Sequence, residues 1–496
     1  MTSTVTTKYG KVSGQSRTGV TSFLGIPYAA SPTGPRRFRA PEPPPPWIGV
    51  RPAREFSATP PKPDYAPPYD KLLPEPNFPG DDWLTVNVWT PDVAARLPVL
   101  VWIYGGGFSN GNAAVPVYDG HAFARDGVVL VTFNYRLGVD GFAVLPGAPA
   151  NRGLLDQIAA LEWVADNIAA FGGDPDNVTI FGGSAGAMSV VTLLSLSRAR
   201  GLFAKAIAQS GAAQAAADPA DAALVTKELG LVLGVEATAA SLRDIDRARL
   251  CDAQAKVRDA LAGNPDPARF GPSIVASSLA FIPVIDGDLI PAHPLAAIRA
   301  GSGSTGVPLL IGTNRDEFRL FLVPSGMSAL VTDEVVAAYL SMLRAPAEVA
   351  DRYRANRPGA SPGDLLAAAL TDGYFRLPAL AVAEARAGRT APTYLYEFAW
   401  PSPVDGLGAA HALEIPFVFG NLAVPGADRS LGPEPPAGLA SEMHAAWIRF
   451  AAAGDPGWPR FDASYPVMTY DGQGSRVVRD PRGDERSSWS AGSTPD

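Results

Sequence analysis

Hydrophobic positions along this chain change their rhythm near residue 84. Ahead of that point they come in short segments: Val5 to Val12 and Thr21 to Ile26 read as short strands, with Gly14 and Gly19 between them. Residues 31 to 80 are dense in proline. The runs Pro43 to Pro46 and Pro60 to Pro79 cannot form helix interior or inner strand, because proline has no amide hydrogen to give. Residues 57 to 80 are therefore expected to be a long surface loop. It is either a plain connector or one wall of a pocket mouth, since loops of this length are uncommon without function.

Beyond residue 84 continuous apolar runs of strand length alternate with longer helical stretches. Val99 to Tyr104, Val128 to Phe133, Val178 to Phe181 and Val307 to Ile311 are apolar almost throughout. Such runs, unlike alternating ones, indicate strands covered on both faces. Leu154, Leu155, Ile158, Leu161 and Ile168 recur at helical spacing, and Gly172-Gly173 ends that helix. The alternation predicts an α/β protein with a large, mostly parallel sheet and helices on both faces. Two Ala-rich stretches, 212–270 and 325–390, interrupt it and are expected to be helical caps above the C-terminal ends of the strands. Another strand follows at Thr393 to Phe398. Then come a helix around Ser441 to Ala452 and a strand pair ending near Val478. The last dozen residues, rich in Ser, Asp and Arg, are expected to fray. No internal repeat and no linker-like composition break appears, so residues 1–496 are expected to form a single domain.

Composition narrows the function. The 496 residues are 47% hydrophobic, enough for a large core. The net charge is -8, from 49 acidic and 41 basic residues, and no Lys/Arg run tracks phosphates, so no nucleic-acid partner is expected. Cys251 is the only cysteine. No intrachain disulfide is available, which favours a reducing compartment. The opening residues lack the plan of a signal peptide, and no apolar run looks long enough to span a bilayer. A cytoplasmic location is the expectation. The sequence carries no signal of oligomeric state.

The strongest local motif is Gly182-Gly-Ser-Ala-Gly186, between the apolar run ending at Phe181 and an apolar helical stretch. A Gly-x-Ser-x-Gly turn between strand and helix holds its serine on a strained corner, and the positions two before and two after must lack bulk. The corner lifts the hydroxyl above the sheet and aims a helix N-terminus at charge developing in acyl transfer. A second motif, Trp102-Ile-Tyr-Gly-Gly-Gly-Phe108, follows another buried strand. Glycines there leave backbone N–H groups uncovered, as an oxyanion hole requires.

A serine nucleophile needs a base, and the chain has four histidines: His121, His293, His411 and His444. His444 sits on an amphipathic helix and reads as packing or surface. His121 and His293 lie in loop-like sequence, and His293 precedes the expected acid, against the order serine, acid, histidine of such sheets. His411 fits that order. A carboxylate must then lie between 184 and 411 at a strand end, where Ile311-Gly-Thr-Asn-Arg-Asp-Glu317 offers both Asp316 and Glu317.

These residues resemble the type-B carboxylesterases, which include bacterial para-nitrobenzyl esterases and cholinesterases. The likeness spans nearly the whole chain, through Phe23-Leu-Gly-Ile-Pro-Tyr-Ala29, Asn134-Tyr-Arg-Leu-Gly138, Leu155-Asp-Gln157, Phe171-Gly-Gly-Asp-Pro175, Gln209-Ser-Gly211, Pro283-Val-Ile-Asp-Gly287, Gly312-Thr-Asn-Arg-Asp-Glu317 and His411-Ala-Leu-Glu-Ile-Pro-Phe417. It implies the α/β-hydrolase fold and hydrolysis of a small-molecule ester, with no cofactor and no metal. It implies Ser184 as nucleophile, Glu317 rather than Asp316 as acid, and His411 as base. Gly106, Gly107 and Ala185 become the oxyanion hole. It also implies ion pairs Arg136–Asp156 and Arg37–Asp81.

Three departures from the family pattern matter. Gly183 stands where the family usually has Glu, so His411 should lack one negative neighbour and titrate at lower pH than in relatives that keep it. Trp83 stands where the family has a disulfide cysteine. No tryptophan lies between Trp47 and Trp83 to bind a quaternary amine, which argues against choline esters. Counting back from Pro283, Ser277 and Leu279 replace the two phenylalanines that narrow a cholinesterase's acyl pocket, implying a roomier one here. Amide, carbamate or lactone hydrolysis could use the same apparatus. A non-catalytic binding role, known for family members that lost the serine, is disfavoured because all three triad positions are filled.

Overall fold

The computed structural model describes residues 2–304 and 306–490. The apolar runs pair into one 13-stranded sheet. In chain order the strands are β1 (Thr2–Thr7), β2 (Gly10–Arg17), β3 (Val20–Pro27), β4 (Val50–Pro52), β5 (Thr85–Thr90), β6 (Leu97–Ile103) and β7 (Val129–Phe133), followed by β8 (Gly173–Gly183), β9 (Lys205–Gln209), β10 (Leu309–Asn314), β11 (Thr393–Phe398), β12 (Pro466–Tyr470) and β13 (Arg476–Arg479). They lie in the order β1-β2-β3-β5-β7-β6-β8-β9-β10-β11-β12-β13, with β4 beside β2. From β7 across to β12 every pairing is parallel. The β1-to-β7 side, apart from the short parallel pair β2–β4, and the β12–β13 edge are antiparallel. The sheet is thus mixed, with the parallel part at its centre. There β7, β9, β10 and β11 are buried along their whole length, as strands with both faces covered must be.

Two expectations at the ends of the chain need correction. Val5 to Val12 is not one strand: β1 and β2 form a hairpin, with Thr7 opposite Gly10 and Lys8-Tyr9 at the turn. The turn lacks the Asn-Gly type of signal that would have announced it. Residues 485 to 490, expected to fray, belong to a helix, Gly483–Ser490. Glu485 anchors it, only 1% exposed and paired with Arg357 at 2.6 Å. Residues 491–496 lie outside the described residues.

The helix predicted from Leu154 onward runs Arg152–Asn167 and closes through a 3-10 turn onto Gly172, whose φ of 81° is one that glycine adopts without strain. Residues 57 to 80 are irregular apart from one turn, Tyr69–Leu72. They are nonetheless pinned down. Lys62 and Glu75 form a nearly buried ion pair at 2.5 Å. Asn110 and Asn112, just past the glycine triplet, donate to the carbonyls of Pro63 (2.6 Å) and Pro76 (3.0 Å).

Both Ala-rich stretches are helical. The first holds Pro219–Leu233 and Arg247–Gly263. The second holds Asp333–Met342, Glu348–Asn356 and Pro362–Thr371, then a π-helical turn Asp372–Arg376 that continues into Leu377–Ala385. This second group has an apolar cluster of its own, built on Leu340, Val349, Tyr353, Leu366 and Leu370. Its continuous span Pro362–Ala385, 24 residues, is long and apolar enough to cross a membrane by length and composition. However, 67% of its most apolar window is buried inside the protein, and it carries the buried pair Asp372–Arg376.

Candidate active site

The chemistry-bearing residues collect where parallel strands end. Strand β8 runs straight into Ser184, and the helix Ala185–Ser195 starts immediately after it. Ser184 has φ 55° and ψ -124°, a strained conformation for a residue with a side chain. Its N–H donates to the Gln209 carbonyl at the end of β9, 2.8 Å away, which fixes the corner. The flanking glycines are sterically required. A Cβ on Gly182 would lie 2.6 Å from backbone atoms of Gly186, and one on Gly186 would lie 1.9 Å from the Ile103 carbonyl oxygen.

The glycine triplet follows β6, the next strand in the sheet. A Cβ on Gly105 would meet the Gly183 carbonyl oxygen at 2.7 Å and the Ser184 Cβ at 2.9 Å, so this loop lies directly on the serine corner. Gly106 (φ 101°) and Gly107 (φ 60°) both use backbone space that L side chains avoid. Ala185 is fully buried beneath. The three predicted N–H donors therefore come from two segments in mutual contact.

Glu317 lies three residues past β10, and His411 lies in the loop after β11. Their side chains meet, with His411 Nδ1 2.6 Å from Glu317 Oε2. The pair is buried, Glu317 completely. The other Glu317 oxygen accepts the Asn314 N–H at 2.7 Å. Asp316, the rival from sequence, turns away and accepts the Ala409 N–H at 2.9 Å. The remaining histidines are occupied elsewhere. His121 pairs with Asp119, and His293 caps the helix Pro294–Arg299. His444 is bonded to the Val418 carbonyl and packs on Phe123.

A second carboxylate, not singled out from sequence, sits behind this pair. Glu414 is fully buried. Its oxygens accept from Asn314 Nδ2 at 2.7 Å and from Gln209 Nε2 at 3.1 Å, and Trp447 Nε1 donates to Gln209 Oε1 at 2.9 Å. Asn314 thus links Glu414 to Glu317. Burial lowers the pKa of His411, but the charge and hydrogen bond of Glu317, with Glu414 behind, outweigh it and leave the imidazole above its ordinary value. Burial, then the charge of Glu317, pushes Glu414 up. Glu414 and Gln209 stand inside motifs already noted, yet sequence periodicity gives a buried acceptor no distinguishing mark.

Aromatic rings close over His411. Phe375 is 4.9 Å and Phe321 5.4 Å away, centroid to centroid. Of the two expected acyl-pocket residues, Leu279 lies against the glycine loop, its Cδ2 3.2 Å from where a Gly107 Cβ would be. Ser277 instead turns its hydroxyl back onto the carbonyls of Ile274 (2.9 Å) and Leu279 (3.2 Å). The long Pro-rich loop reaches this side as well, through Tyr69, whose hydroxyl donates to the Phe321 carbonyl at 2.8 Å.

One expected ion pair is present and the other is not. Arg136 and Asp156 form a buried bidentate pair, with contacts of 2.8 and 2.7 Å. Arg37 does not reach Asp81. It pairs with Asp140 at 3.0 Å and donates to the carbonyls of Arg243 and Ile245. Asp81 is largely exposed and pairs with Arg247 at 2.7 Å. A buried guanidinium takes the partner that also shields it from water, and Asp140 is nearly buried where Asp81 is not.

Comparison with known proteins shows the family. A model of the "Carboxylesterase family" matches residues 1–485. The para-nitrobenzyl esterase of Bacillus subtilis (strain 168) is 39% identical, the match covering 97% of each chain. The phenmedipham hydrolase of Pseudarthrobacter oxydans is 35% identical over 96% of each. The crystal structure of a Geobacillus stearothermophilus carboxylesterase at pH 6.2 superposes with a TM-score of 0.86 at 37% identity, covering 98% of this chain and 99% of that one.

Proposed function

Since the chain belongs to the carboxylesterase family, with its α/β-hydrolase fold and its hydrolysis of carboxylic esters, we propose that it cleaves small to medium uncharged esters through an acyl-enzyme on Ser184. Ser184 attacks the acyl carbon while His411 takes the hydroxyl proton. Glu317 orients the imidazole and offsets the positive charge it gains. The N–H groups of Gly106, Gly107 and Ala185 bind the oxyanion as the carbonyl bond opens. His411 then returns the proton to the leaving alcohol. Water, deprotonated in turn by His411, releases the acid.

The observation that carries this reading is the meeting of Glu317 and His411 at 2.6 Å, from the segments that follow β10 and β11, in a sheet whose strand β8 ends on a strained serine. A carboxylate and an imidazole drawn from segments 94 residues apart need a strong reason to share a buried site. Transient proton transfer to the imidazole supplies one. The whole chain serves this one site: the proposed residues come from strands across the parallel centre, so we read it as a single catalytic unit. The lone cysteine supports placing it in a reducing compartment, the cytoplasm.

The test is covalent labelling with a fluorophosphonate, read by peptide mapping, beside turnover of nitrophenyl esters, nitroanilides and phenmedipham. Label on Ser184 and its loss in Ser184→Ala are expected, with turnover falling by several orders of magnitude. Label on a different serine would overturn the assignment. Faster turnover of anilides than of esters would overturn the substrate class.

A further inference from the structure

The helix Gly483–Ser490 lies far along the chain from every residue of the proposed site, yet it grips the one irregular turn that touches His411. That turn is the π-helical Asp372–Arg376, set between two regular helical segments. Two of its residues face the site. The Phe375 ring packs 4.9 Å from the His411 ring. The Tyr374 hydroxyl is 3.2 Å from Ser278 Oγ, next to the Leu279 that lies on Gly107, and the Tyr374 carbonyl accepts from Gln214 Nε2 at 2.9 Å. Phe318 fills in behind, 5.3 Å from the Tyr374 ring.

The other side of the turn faces the 480–489 segment. Trp489 rests on Gly373, with its ring edge 3.4 Å from where a Cβ would project. Its Nε1 donates to the Tyr353 hydroxyl at 3.1 Å, and that hydroxyl donates to Asp372. Asp372 holds Arg376 through two contacts of 2.6 Å, and Arg376 donates onward to the Pro481 carbonyl at 3.0 Å. The ring Trp489–Tyr353–Asp372–Arg376–Pro481 is thereby closed around the turn. Glu485 locks the strap from outside, accepting from Asn356 (2.7 Å) and from both Arg357 amino groups (2.6 and 3.1 Å). A π-helical turn packs less regularly than an α-helix and frequently marks a functional site. The contacts of the strap fall on both ends of this turn, at Asp372 and Arg376, and on Gly373 between them.

We propose that the 480–489 segment, through Trp489 and Glu485, is a positioning element that holds Tyr374 and Phe375 in place as one wall of the acyl pocket and so sets the acyl size the enzyme accepts. The proposal rests on Ser184 and His411 being the reacting pair. Leu279 lies against Gly107 and Tyr374 reaches the adjacent Ser278, so the wall is assigned to the acyl side of the proposed oxyanion loop and not to the side of the leaving alcohol. The strap therefore acts on acyl length and leaves the dependence on the alcohol alone.

The experiment uses the full chain with Trp489→Ala and Trp489→Phe. It measures kcat/KM for p-nitrophenyl acetate, butyrate and octanoate, and for acetates of phenols of different size. Fluorophosphonate labelling of Ser184 in the unaltered protein tests the triad separately, so failure there counts against the proposed function and not against the strap. For Trp489→Ala the octanoate-to-acetate ratio of kcat/KM should rise by about fivefold or more, below the discrimination a full methylene-sized change in a pocket gives. Trp489→Phe, which keeps a ring on Gly373, should stay within about twofold of the unaltered ratio, and the series over phenols should not change. A folded Trp489→Ala with an unaltered ratio, or with acetate and octanoate falling together, overturns the proposal. If Trp489→Ala does not fold, Tyr353→Phe decides by the same ratio, since it removes only the oxygen that joins Trp489 to Asp372.

Discussion

Replacing Glu317 by Gln separates the two neighbouring carboxylates by what each touches. The 2.6 Å contact of Glu317 with His411 puts the carboxylate and the imidazolium charge about 4 Å apart, centre to centre, in a site from which water is largely excluded. At an effective dielectric constant of about 20, that separation corresponds to roughly 4 kcal/mol of attraction for the imidazolium. Above the pKa of His411, in the proposed mechanism, the charge arises only as His411 takes the serine proton, so its loss falls on the transition state. It is worth about three orders of magnitude in kcat/KM. Asp316→Asn removes a charge that meets only the Ala409 N–H, and asparagine can still accept there. Its cost should stay near 1 kcal/mol, less than tenfold. The pH profile gives a second readout. Burial lowers the pKa of His411, and Glu317 more than reverses this, so the acidic limb of kcat/KM should lie above the ordinary histidine value of about 6.5. In Glu317→Gln that limb should move to lower pH. Steady-state kinetics of both variants on one nitrophenyl ester, from pH 5 to 9, decides it. A larger loss in Asp316→Asn, or an acidic limb that rises in Glu317→Gln, would refute the reasoning.

Gly183→Glu should raise the acidic limb of kcat/KM by adding a negative neighbour to His411. No movement, or movement to lower pH, would show that the added carboxylate is neutralised or turned away. With Leu279 in place of a phenylalanine against Gly107, activity should persist from acetyl to longer acyl chains, and a collapse beyond acetyl in a nitrophenyl series would contradict the roomier pocket. Burial pushes the Cys251 thiol up to about 12, so at pH 8 it should react with iodoacetamide far more slowly than the same residue in the urea-unfolded chain. Equal rates would contradict its burial.

Sequence carried the parallel centre of the sheet and the serine corner because both obey local rules. A continuous apolar run predicts a doubly covered strand, and a Cβ on Gly182 would lie 2.6 Å from the backbone of Gly186 within the same turn. Choosing Glu317 over Asp316 was beyond spacing, since the two differ by one residue and both follow β10. The family resemblance pointed to Glu317, and the 2.6 Å contact with His411 agrees with it. Arg37 shows where carry-over misleads: its partner depends on which carboxylate is buried beside it, a tertiary fact that a matching motif does not hold. The Gly483–Ser490 helix fails for a related reason. Its composition is that of a solvated tail, and Asn356 and Arg357, more than a hundred residues earlier, turn Glu485 into a buried anchor.

The electrostatics around His411 follow from where charge has been placed and where it has been left out. The Cβ of any residue at 183 would lie 3.3 Å from Ile415 Cδ1 and from the Trp102 ring, so this side of the site is apolar and tight. A carboxylate here would be desolvated against hydrocarbon and aromatic carbon, at a cost its attraction for His411 would have to offset. Glu317, in contact with His411, and Glu414 are bridged by Asn314. Burial, then the charge of Glu317, raises the pKa of Glu414. Glu317, in direct contact with the imidazole, is the nearer of the two, and the amides of Asn314 and Gln209 bond to Glu414 behind it. The same bonds tie Glu414 to β9 through Gln209, whose carbonyl also receives the Ser184 N–H. The base is thus oriented by a carboxylate, and that carboxylate is held by a network reaching the strand that shapes the nucleophile's corner.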